Sequence, residues 1–250
     1  MSFSVLTLNL WNVSEPLETR YRALQAGLKR LQPDIICLQE VYIDPKSARS
    51  QAACVADMCG LAHRAENDGL AIMATSPVIR CDSVALPEFP GDGPRLVLFA
   101  ELLIEGNPLL VINTHLAYPP DMVEERRRQA GTLLSALRHD RSASAETAKL
   151  LCGDFNDVAD SPAIRAILGS DEGFHDAFAE QSPNSPGFTY SPKNPYVDRS
   201  WTLDQRIDFI FINDKLVIKT CSVVFDGQGG LDLVSDHFGV FSELDFRSKT

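Results

Sequence analysis

Two short segments of the chain combine carboxylate, amide and imidazole side chains directly beside apolar runs. Residues 153–156 (Gly-Asp-Phe-Asn) follow an apolar run that ends at Cys152, and residues 235–237 (Ser-Asp-His) precede one that begins at Phe238. Carboxylate oxygens bind hard divalent cations, and a carboxylate or an imidazole can accept a proton from water. Hydrolysis of a phosphate ester needs both capacities. The two segments therefore predict a metal-assisted hydrolase of phosphate esters.

Three polar residues are the predicted metal ligands. Glu40 and Asp236 offer carboxylates, and Asn9 offers an amide oxygen, with Gln39 close enough in sequence to assist or to orient them. A set of oxygen donors suits Mg²⁺ better than zinc. We therefore expect Mg²⁺ as the cofactor, with Mn²⁺ able to substitute for it.

Five further residues form the predicted catalytic set. Asp154 and Asn156 stand two residues apart on a turn, so one side chain can accept a proton from the attacking water while the other donates to the phosphate. His237 with Asp208 would form an oriented imidazole, and His115 is a second group that contacts the phosphate. Taken singly, each residue also has a structural explanation, such as closing a strand or a turn. Their ordered placement along the chain favours a site.

The strands that hold these residues must run in two directions. Four candidates, from Asn9 to Asp154, come at or just after the ends of their apolar segments, whereas three, from Asp208 to His237, come just before theirs. If all seven share one site, the two groups of strands point in opposite directions. That arrangement requires mixed or antiparallel sheets and excludes a purely parallel doubly wound fold.

Periodicity places the elements between the candidate residues. Alternation predicts an opening strand at 3–10, and apolar residues at spacings of three and four predict helices at 17–31, 52–59 and 123–137. Ser161 followed by Pro162 predicts the start of another helix. Further strands are predicted at 35–38, 70–73, 78–86, 96–103, 109–113, 148–152, 207–212, 217–225 and 238–246.

The composition is that of an ordinary folded domain. The chain has 250 residues, of which 44% are hydrophobic and 23% charged, and no linker-like stretch divides it, so we predict a single domain over 1–250. A net charge of −11 argues against a broad basic face for duplex nucleic acid. No apolar run is long enough to span a membrane, and the first residues lack the basic segment of a secretory signal. We therefore expect a cytoplasmic location.

An aromatic-bearing loop and an arginine run are candidate substrate contacts. In the loop 182–201, Tyr190 and Trp201 can stack on a base or an apolar leaving group, or can merely anchor the loop. The arginines at 126–128 are expected to form a solvated helix face, with Arg126 as the member that would reach a substrate phosphate.

The order of these motifs resembles the endonuclease/exonuclease/phosphatase superfamily over nearly the whole chain. The matching segments are residues 7–9, 38–41, 69–73, 113–116, 153–156, 206–211 and 235–240. The resemblance implies an α/β fold, a four-layer α/β/β/α sandwich of two packed mixed sheets flanked by helices. It also implies a divalent metal at Glu40 and pairing of Asp208 with His237. Segments 125–129 and 188–190 are most similar to the tyrosyl-DNA phosphodiesterase and neutral sphingomyelinase branches.

The predicted function is hydrolysis of a phosphodiester by metal-assisted attack of water. Three substrates remain possible from the sequence: a nucleic-acid end, a nucleotide or a lipid headgroup. The sequence does not identify an oligomeric partner. One alternative is a phosphomonoesterase of the inositol-phosphate type. Another is a non-catalytic member of the same fold that binds partners, which is disfavoured because the chain retains Asn9, Glu40, Asp154, Asn156, Asp208, Asp236 and His237.

Overall fold

Two six-stranded sheets lie face to face and carry helices on their outer sides. The computed structural model describes residues 2–140, 144 and 146–248. The strands are β1 Ser2–Asn9, β2 Ile35–Gln39, β3 His63–Asn67, β4 Leu70–Ala74, β5 Val78–Ala85, β6 Leu96–Ile104, β7 Asn107–His115, β8 Ala148–Asp154, β9 His175–Asp176, β10 Asp208–Ile212, β11 Leu216–Val224 and β12 Gly239–Phe246. The helices are α1 Leu17–Leu31, α2 Gln51–Cys59, α3 Val123–His139, α4 Pro162–Leu168 and α5 Ala177–Gln181.

Both sheets are mixed. The strand order is β11-β12-β1-β2-β4-β3 in the first sheet and β5-β6-β7-β8-β10-β9 in the second. Each sheet has one parallel pair, β1 with β2 and β7 with β8, and the other strand pairs in the described residues are antiparallel. The prediction of mixed sheets is confirmed.

Alternate residues of a strand enter different cores because both faces of each sheet are covered. In β1, Phe3 and Val5 pack between the two sheets, while Leu6 and Leu8 pack under the helices of the outer face. Strands buried on both faces have nearly continuous apolar sequences. The helix layers and the two sheets together form the four-layer sandwich that the resemblance implied.

Each outer helix layer covers one sheet. Leu24 and Leu28 of α1 pack with Val55 of α2 on the first sheet, and Leu133 of α3 packs with Ile164 of α4 on the second. Helix α4 begins where the sequence predicts, because the Ser161 hydroxyl accepts a hydrogen bond from the backbone N–H of Ile164 and Pro162 follows as the first helical residue. None of the helices in the described ranges has both the length and the hydrophobicity that crossing a bilayer requires.

Three elements have no counterpart in the sequence prediction. Strand β3 lies at the edge of its sheet and buries only Ala65. Strand β9 has two residues, and α5 has five residues with Asp176 as its N-cap. Such short or edge elements contain too few buried positions for a period to be recognised.

Candidate active site

Strand ends from both sheets meet at one edge of the sandwich. Asn9 ends β1, His115 ends β7 and Asp154 ends β8, whereas Asp208 begins β10. Within the second sheet, Asp154 is the register partner of both His115 and Asp208. Because β10 is antiparallel to β8, the start of one strand lies beside the end of the other. The mixed sheets thus place these residues side by side.

Gly153 allows this close approach of strands. A Cβ atom at Gly153, which has φ +146°, would lie 2.0 Å from the backbone oxygen of Thr114. No other residue fits there without moving β7. Two site residues also have positive φ, Glu40 at 53° and Asn156 at 49°. Non-glycine residues in this region are uncommon and occur often in functional sites.

Asp154 lies between two imidazole rings. Its Oδ2 atom is 3.4 Å from Nε2 of His115 and 3.7 Å from Nε2 of His237. The other ring nitrogen of His237, Nδ1, lies 2.9 Å from Oδ2 of Asp208. This hydrogen bond orients the His237 ring and leaves Nε2 on the side of Asp154. The backbone N–H of Asn156 donates to Oδ1 of Asp154 at 2.9 Å.

The two histidines have opposite electrostatic environments. Burial lowers the pKa of His115 to about 4, against the attraction of Asp154. Burial also lowers the pKa of His237, but the charges of Asp208 and Asp154 outweigh it and raise that pKa well above its usual value. Burial raises the pKa of Asp154, with the charge of His237 acting against the rise. At neutral pH the site therefore contains a neutral imidazole and an imidazolium.

Asn9 joins the catalytic side of the site to Glu40. Its Nδ2 donates to Oδ2 of Asp154 at 3.0 Å and to Oε1 of Glu40 at 3.2 Å, while its Oδ1 accepts from the backbone N–H of Trp11. In this arrangement Asn9 acts as a donor that orients two carboxylates. Its assignment as a direct metal ligand stays a prediction.

Glu40 and Asp236 line the same cavity, and their charges interact. Burial raises the pKa of Asp236 to about 6, and the negative charge of Glu40 adds to the rise. Two carboxylates in such a position favour a cation between them, and their oxygens are the donors that Mg²⁺ prefers. The donor set therefore fits a hard divalent cation. A second set, Asp154, Asp208 and His237, has potential ligand atoms within 4.8 Å of one another in the described residues.

A cavity of about 460 Å³ opens beside these groups. Its wall includes Glu40, His115, Asp154, Asn156, Asp236, His237, Tyr190 and Trp201. The ring centroid of Tyr190 lies 4.8 Å from that of His237 and 5.5 Å from that of Trp201. Both predicted aromatic contacts thus border the candidate site. Another cavity, of about 480 Å³, is lined by residues such as Phe178 and Lys193 and contains none of the site residues.

The structure corrects the expectation of a solvated arginine face. Arg127 and Arg128 are exposed, but only 2% of the Arg126 side chain is accessible. The Arg126 guanidinium donates to the carbonyls of Ala117, Pro119 and Pro120, and its Nε lies 3.2 Å from Oδ2 of Asp157. It borders the cavity with its charge paired to Asp157 and three hydrogen bonds already made to carbonyls. Its contact with substrate stays a prediction.

Gln39 also serves the fold. Its side chain is buried and its Nε2 donates to Oγ1 of Thr7 and to Oδ1 of Asn113, a residue of the opposite sheet. Asn113 in turn donates to the carbonyls of Leu38 and Ala71. This polar network ties the two sheets together directly under the site.

The sequence prediction missed several residues that hold the site in place. Asn194 donates from Nδ2 to the carbonyls of Ser235 and Asp236, and the Thr189 hydroxyl accepts from the backbone N–H of Asp208. Arg20 is fully buried and donates to Leu10, Ser14 and Val234 carbonyls. Arg20 falls on the apolar stripe of α1, three residues after Leu17 and four before Leu24, and a charge on that stripe is the feature that marks it.

Curated relatives match about two thirds of the chain. Protein angel homolog 1 of Homo sapiens is 26% identical over 212 residues, which cover 70% of this chain and 31% of that protein. The Rattus norvegicus protein of the same name is 27% identical over 204 residues, covering 67% of this chain and 30% of that protein. The chain thus spans about a third of the length of the curated relatives it matches.

Solved structures share the fold over almost the whole chain. TDP2 of D. rerio, in a complex with a single-strand DNA product, has a TM-score of 0.79 at 18% identity, covering 98% of this chain and 99% of that chain. The human Nocturnin catalytic domain with a bound sulfate anion has a TM-score of 0.76 at 18% identity, covering 98% and 94%. Residues 6–237 match the family described as the Endonuclease/Exonuclease/phosphatase family. Since this match spans most of the chain and the fold agrees, the chain belongs to the endonuclease/exonuclease/phosphatase family.

Proposed function

We propose that the protein is a divalent-metal-dependent phosphodiesterase that acts by attack of water. Family membership gives the chain a phosphoesterase fold of the hydrolase type. The observation that supports the activity most is the convergence of Asp154, the Asp208–His237 pair and the Glu40–Asp236 carboxylates at one cavity. A base, an oriented cation and metal-binding oxygens are the groups that this reaction needs.

The proposed roles of the protein groups follow from their contacts. Asp154 accepts the proton of the attacking water, since Asn9 and the backbone N–H of Asn156 hold its carboxylate in place. The imidazolium of His237, oriented by Asp208, donates from Nε2 to a phosphoryl oxygen. His115 stays neutral at physiological pH because its pKa is lowered, so it contributes a hydrogen bond rather than a charge.

The metal belongs on the Glu40 side of the site in this proposal. Glu40 and Asp236, with Asn9 beside them, would hold Mg²⁺ or Mn²⁺, and the bound ion would neutralise charge on the phosphoryl and leaving oxygens. The competing set of Asp154, Asp208 and His237 is assigned to proton transfer, because a hydrogen bond already joins two of its members, His237 and Asp208.

Substrate candidates come from the relatives and from the cavity wall. The D. rerio TDP2 structure contains a single-strand DNA product, which supports a nucleic-acid end or a nucleotide as substrate here. Tyr190 and Trp201 in the cavity wall can stack on a base or another flat group. A cytoplasmic location remains part of the proposal.

A diester and a monoester with the same leaving group test the reaction class. The protein is assayed with Mg²⁺ on bis-p-nitrophenyl phosphate and on p-nitrophenyl phosphate, with Asp154→Asn as the control. Faster cleavage of the diester, lost in the variant, supports a phosphodiesterase. Preference for the monoester favours the phosphomonoesterase, and lack of turnover on a wider panel of phosphate esters favours a binding protein.

A further inference from the structure

Two cavities meet at the candidate site, and together they form a groove with two arms. A second cavity, of about 300 Å³, shares Glu40, His115 and Tyr118 with the 460 Å³ cavity and is otherwise lined by residues that the larger cavity lacks, such as Asp68 and Arg95. A phosphodiester bound at Asp154 therefore has room for one substituent on each side. We call the 460 Å³ cavity the larger arm of the groove and the 300 Å³ cavity the smaller arm. The residues that line each arm decide which substituents fit.

The larger arm offers no unpaired cation to a second phosphate. Among its described lining residues the acidic ones are Glu40, Asp154, Asp157 and Asp236. The cationic ones are Arg126 and His237, and the His237 imidazolium is paired with Asp208 and assigned to the scissile phosphate. The Arg126 guanidinium is buried against three carbonyls and Asp157. The rest of the wall is largely aromatic or aliphatic, with Tyr118, Val123 and Trp201 as examples.

The smaller arm is also acidic. Its described lining includes one arginine, Arg95, which donates from Nε and Nη2 to the two carboxylate oxygens of Asp92 at 2.9 and 2.6 Å. Asp68 lies in the same arm, exposed, in the turn between β3 and β4, and no ion pair joins it to another of the described residues. A phosphate entering this arm meets a carboxylate and a neutralised arginine.

We propose that the groove selects phosphodiesters whose only anionic group is the scissile phosphate, and that Asp68 repels a second phosphate in the smaller arm. This inference rests on the proposed function. A polynucleotide places a phosphate on every residue and needs cationic side chains along its path. The two arms instead suit uncharged substituents, with a flat or apolar group against the aromatic wall. The favoured substrate class is a small, singly charged phosphodiester, so this selection disfavours the nucleic-acid end among the substrates of the proposed function.

Two substrates that differ by one phosphate test the selection. Thymidine 5′-(p-nitrophenyl phosphate) has one anionic group, and its 3′-phosphorylated form has a second. Water adds to the 5′ phosphorus in both, p-nitrophenolate leaves, and the 5′-phosphate remains on the nucleoside. We expect kcat/KM for the 3′-phosphorylated substrate to be lower by about tenfold or more at low salt, because the Asp68 carboxylate and a second phosphate in the same arm repel each other. The difference should shrink at 0.15 M salt, where the Debye length is about 8 Å.

Matched charge variants locate the effect. Asp68→Asn removes a carboxylate from the smaller arm and suits the positive φ of this residue, 35°. Asp171→Asn removes the same charge from a side chain that is 96% exposed and lines neither arm. We expect the ratio of the two kcat/KM values to move towards one in Asp68→Asn and to stay at the wild-type value in Asp171→Asn.

The outcomes separate this inference from the proposed function. Equal kcat/KM values for the two substrates, or a ratio that Asp68→Asn does not change, would overturn the selection while leaving the phosphodiesterase intact. Binding is measured in parallel by calorimetry with Mg²⁺, using thymidine 5′-phosphate and thymidine 3′,5′-bisphosphate. If neither ester is hydrolysed, the proposed activity is wrong, and the ratio of the two dissociation constants alone then tests the selection. Weaker binding of the bisphosphate supports the selection, and equal binding of the two ligands contradicts it.

Discussion

At the scale of residues, Asp154 is the point at which separate parts of the chain meet. It accepts hydrogen bonds from Asn9 and from the backbone of Asn156, and two imidazoles approach the same carboxylate oxygen. Only 1% of the Asp154 side chain is exposed. A side chain that is held in place before the reaction needs little reorganisation as the transition state forms. This property favours a catalytic role for Asp154.

Removing the proposed base or the proposed imidazolium should nearly abolish turnover. We expect Asp154→Asn and His237→Ala each to lower kcat by about a thousandfold, because each removes a group that acts on the reacting atoms. Diester hydrolysis measures the loss, and circular dichroism checks the fold. His175→Ala is the matched control, since 43% of the His175 side chain is exposed and it lies outside the candidate site. Wild-type rates in either site variant would refute the assignment.

Burial of neutral His115 predicts a specific dependence of stability on pH. The folded-state pKa is about 4, whereas an unfolded histidine has a pKa of about 6.5. Between these values the unfolded chain binds more protons, so the contribution of His115 to stability is present above pH 6.5 and is lost as the pH falls towards 4. This loss amounts to at most ~3 kcal/mol.

The comparison of wild type with His115→Gln isolates this contribution from other titrating groups. Urea unfolding in the presence of a chelator gives the free energy of unfolding of both proteins between pH 7 and pH 4. We expect the difference in free energy of unfolding between wild type and His115→Gln to decrease as the pH falls through this range. A difference that is independent of pH would show that His115 is not buried in its neutral form.

Much of the candidate site could be predicted from residue type and position. Asp154, Asp208 and His237 border apolar segments, and that placement is visible in the sequence. The burial of Arg126 is not visible there, because its carbonyl partners come from a turn whose path depends on the packed helix. Asn194 was missed for a similar reason, since it recognises the backbone of a segment 41 residues away.

At the scale of elements, Arg20 of α1 ties together the segments that surround the site. It donates to Leu10 and Ser14 after β1 and to Val234 before Asp236. Its guanidinium lies 4.9 Å from the centroid of Trp11, and Trp11 stacks on Tyr196 of the aromatic loop at 5.7 Å. One side chain thus connects α1 to three segments that border the site.

Loss of Arg20 should destabilise the fold strongly. We expect Arg20→Met to lower the free energy of unfolding by about 3 kcal/mol or more, because buried carbonyls lose their donor. Arg22→Met on the same helix is the control, since the side chain of Arg22 is 78% exposed and it pairs only at the surface with Glu18, and it should change stability by less than about 0.5 kcal/mol. Equal effects in chemical denaturation would contradict the role given to Arg20.

The main elements follow from periodicity, and the minor ones do not. Strand β1 alternates apolar with polar residues, β7 and β8 contain apolar runs, and Pro33 follows closely after the end of α1. By contrast, β9 and α5 depend on Asp176, which caps the helix locally and is held by an ion pair with Arg206, 30 residues away. Local sequence contains no pattern for such tertiary contacts.

At the scale of the whole molecule, both sheets use strands from distant parts of the chain. β1 pairs with β12, and β7 pairs with β8 across α3. We predict one cooperative unfolding transition, consistent with the single domain expected for 1–250. Circular dichroism reports on the sheets and helices, while the fluorescence of Trp11 and Trp201 reports on the site. Transitions with different midpoints would indicate separate folding units.

The most direct test of the central claim is the Mg²⁺ dependence of diester hydrolysis in wild type and in Glu40→Gln. Chelator-treated wild type should be inactive towards bis-p-nitrophenyl phosphate and should recover on addition of Mg²⁺. Glu40→Gln should need roughly tenfold more Mg²⁺ for half-maximal rate, because it loses a charged ligand. Hydrolysis that survives the chelator, or the same Mg²⁺ requirement in both proteins, would contradict a metal-dependent phosphodiesterase with Glu40 as its ligand.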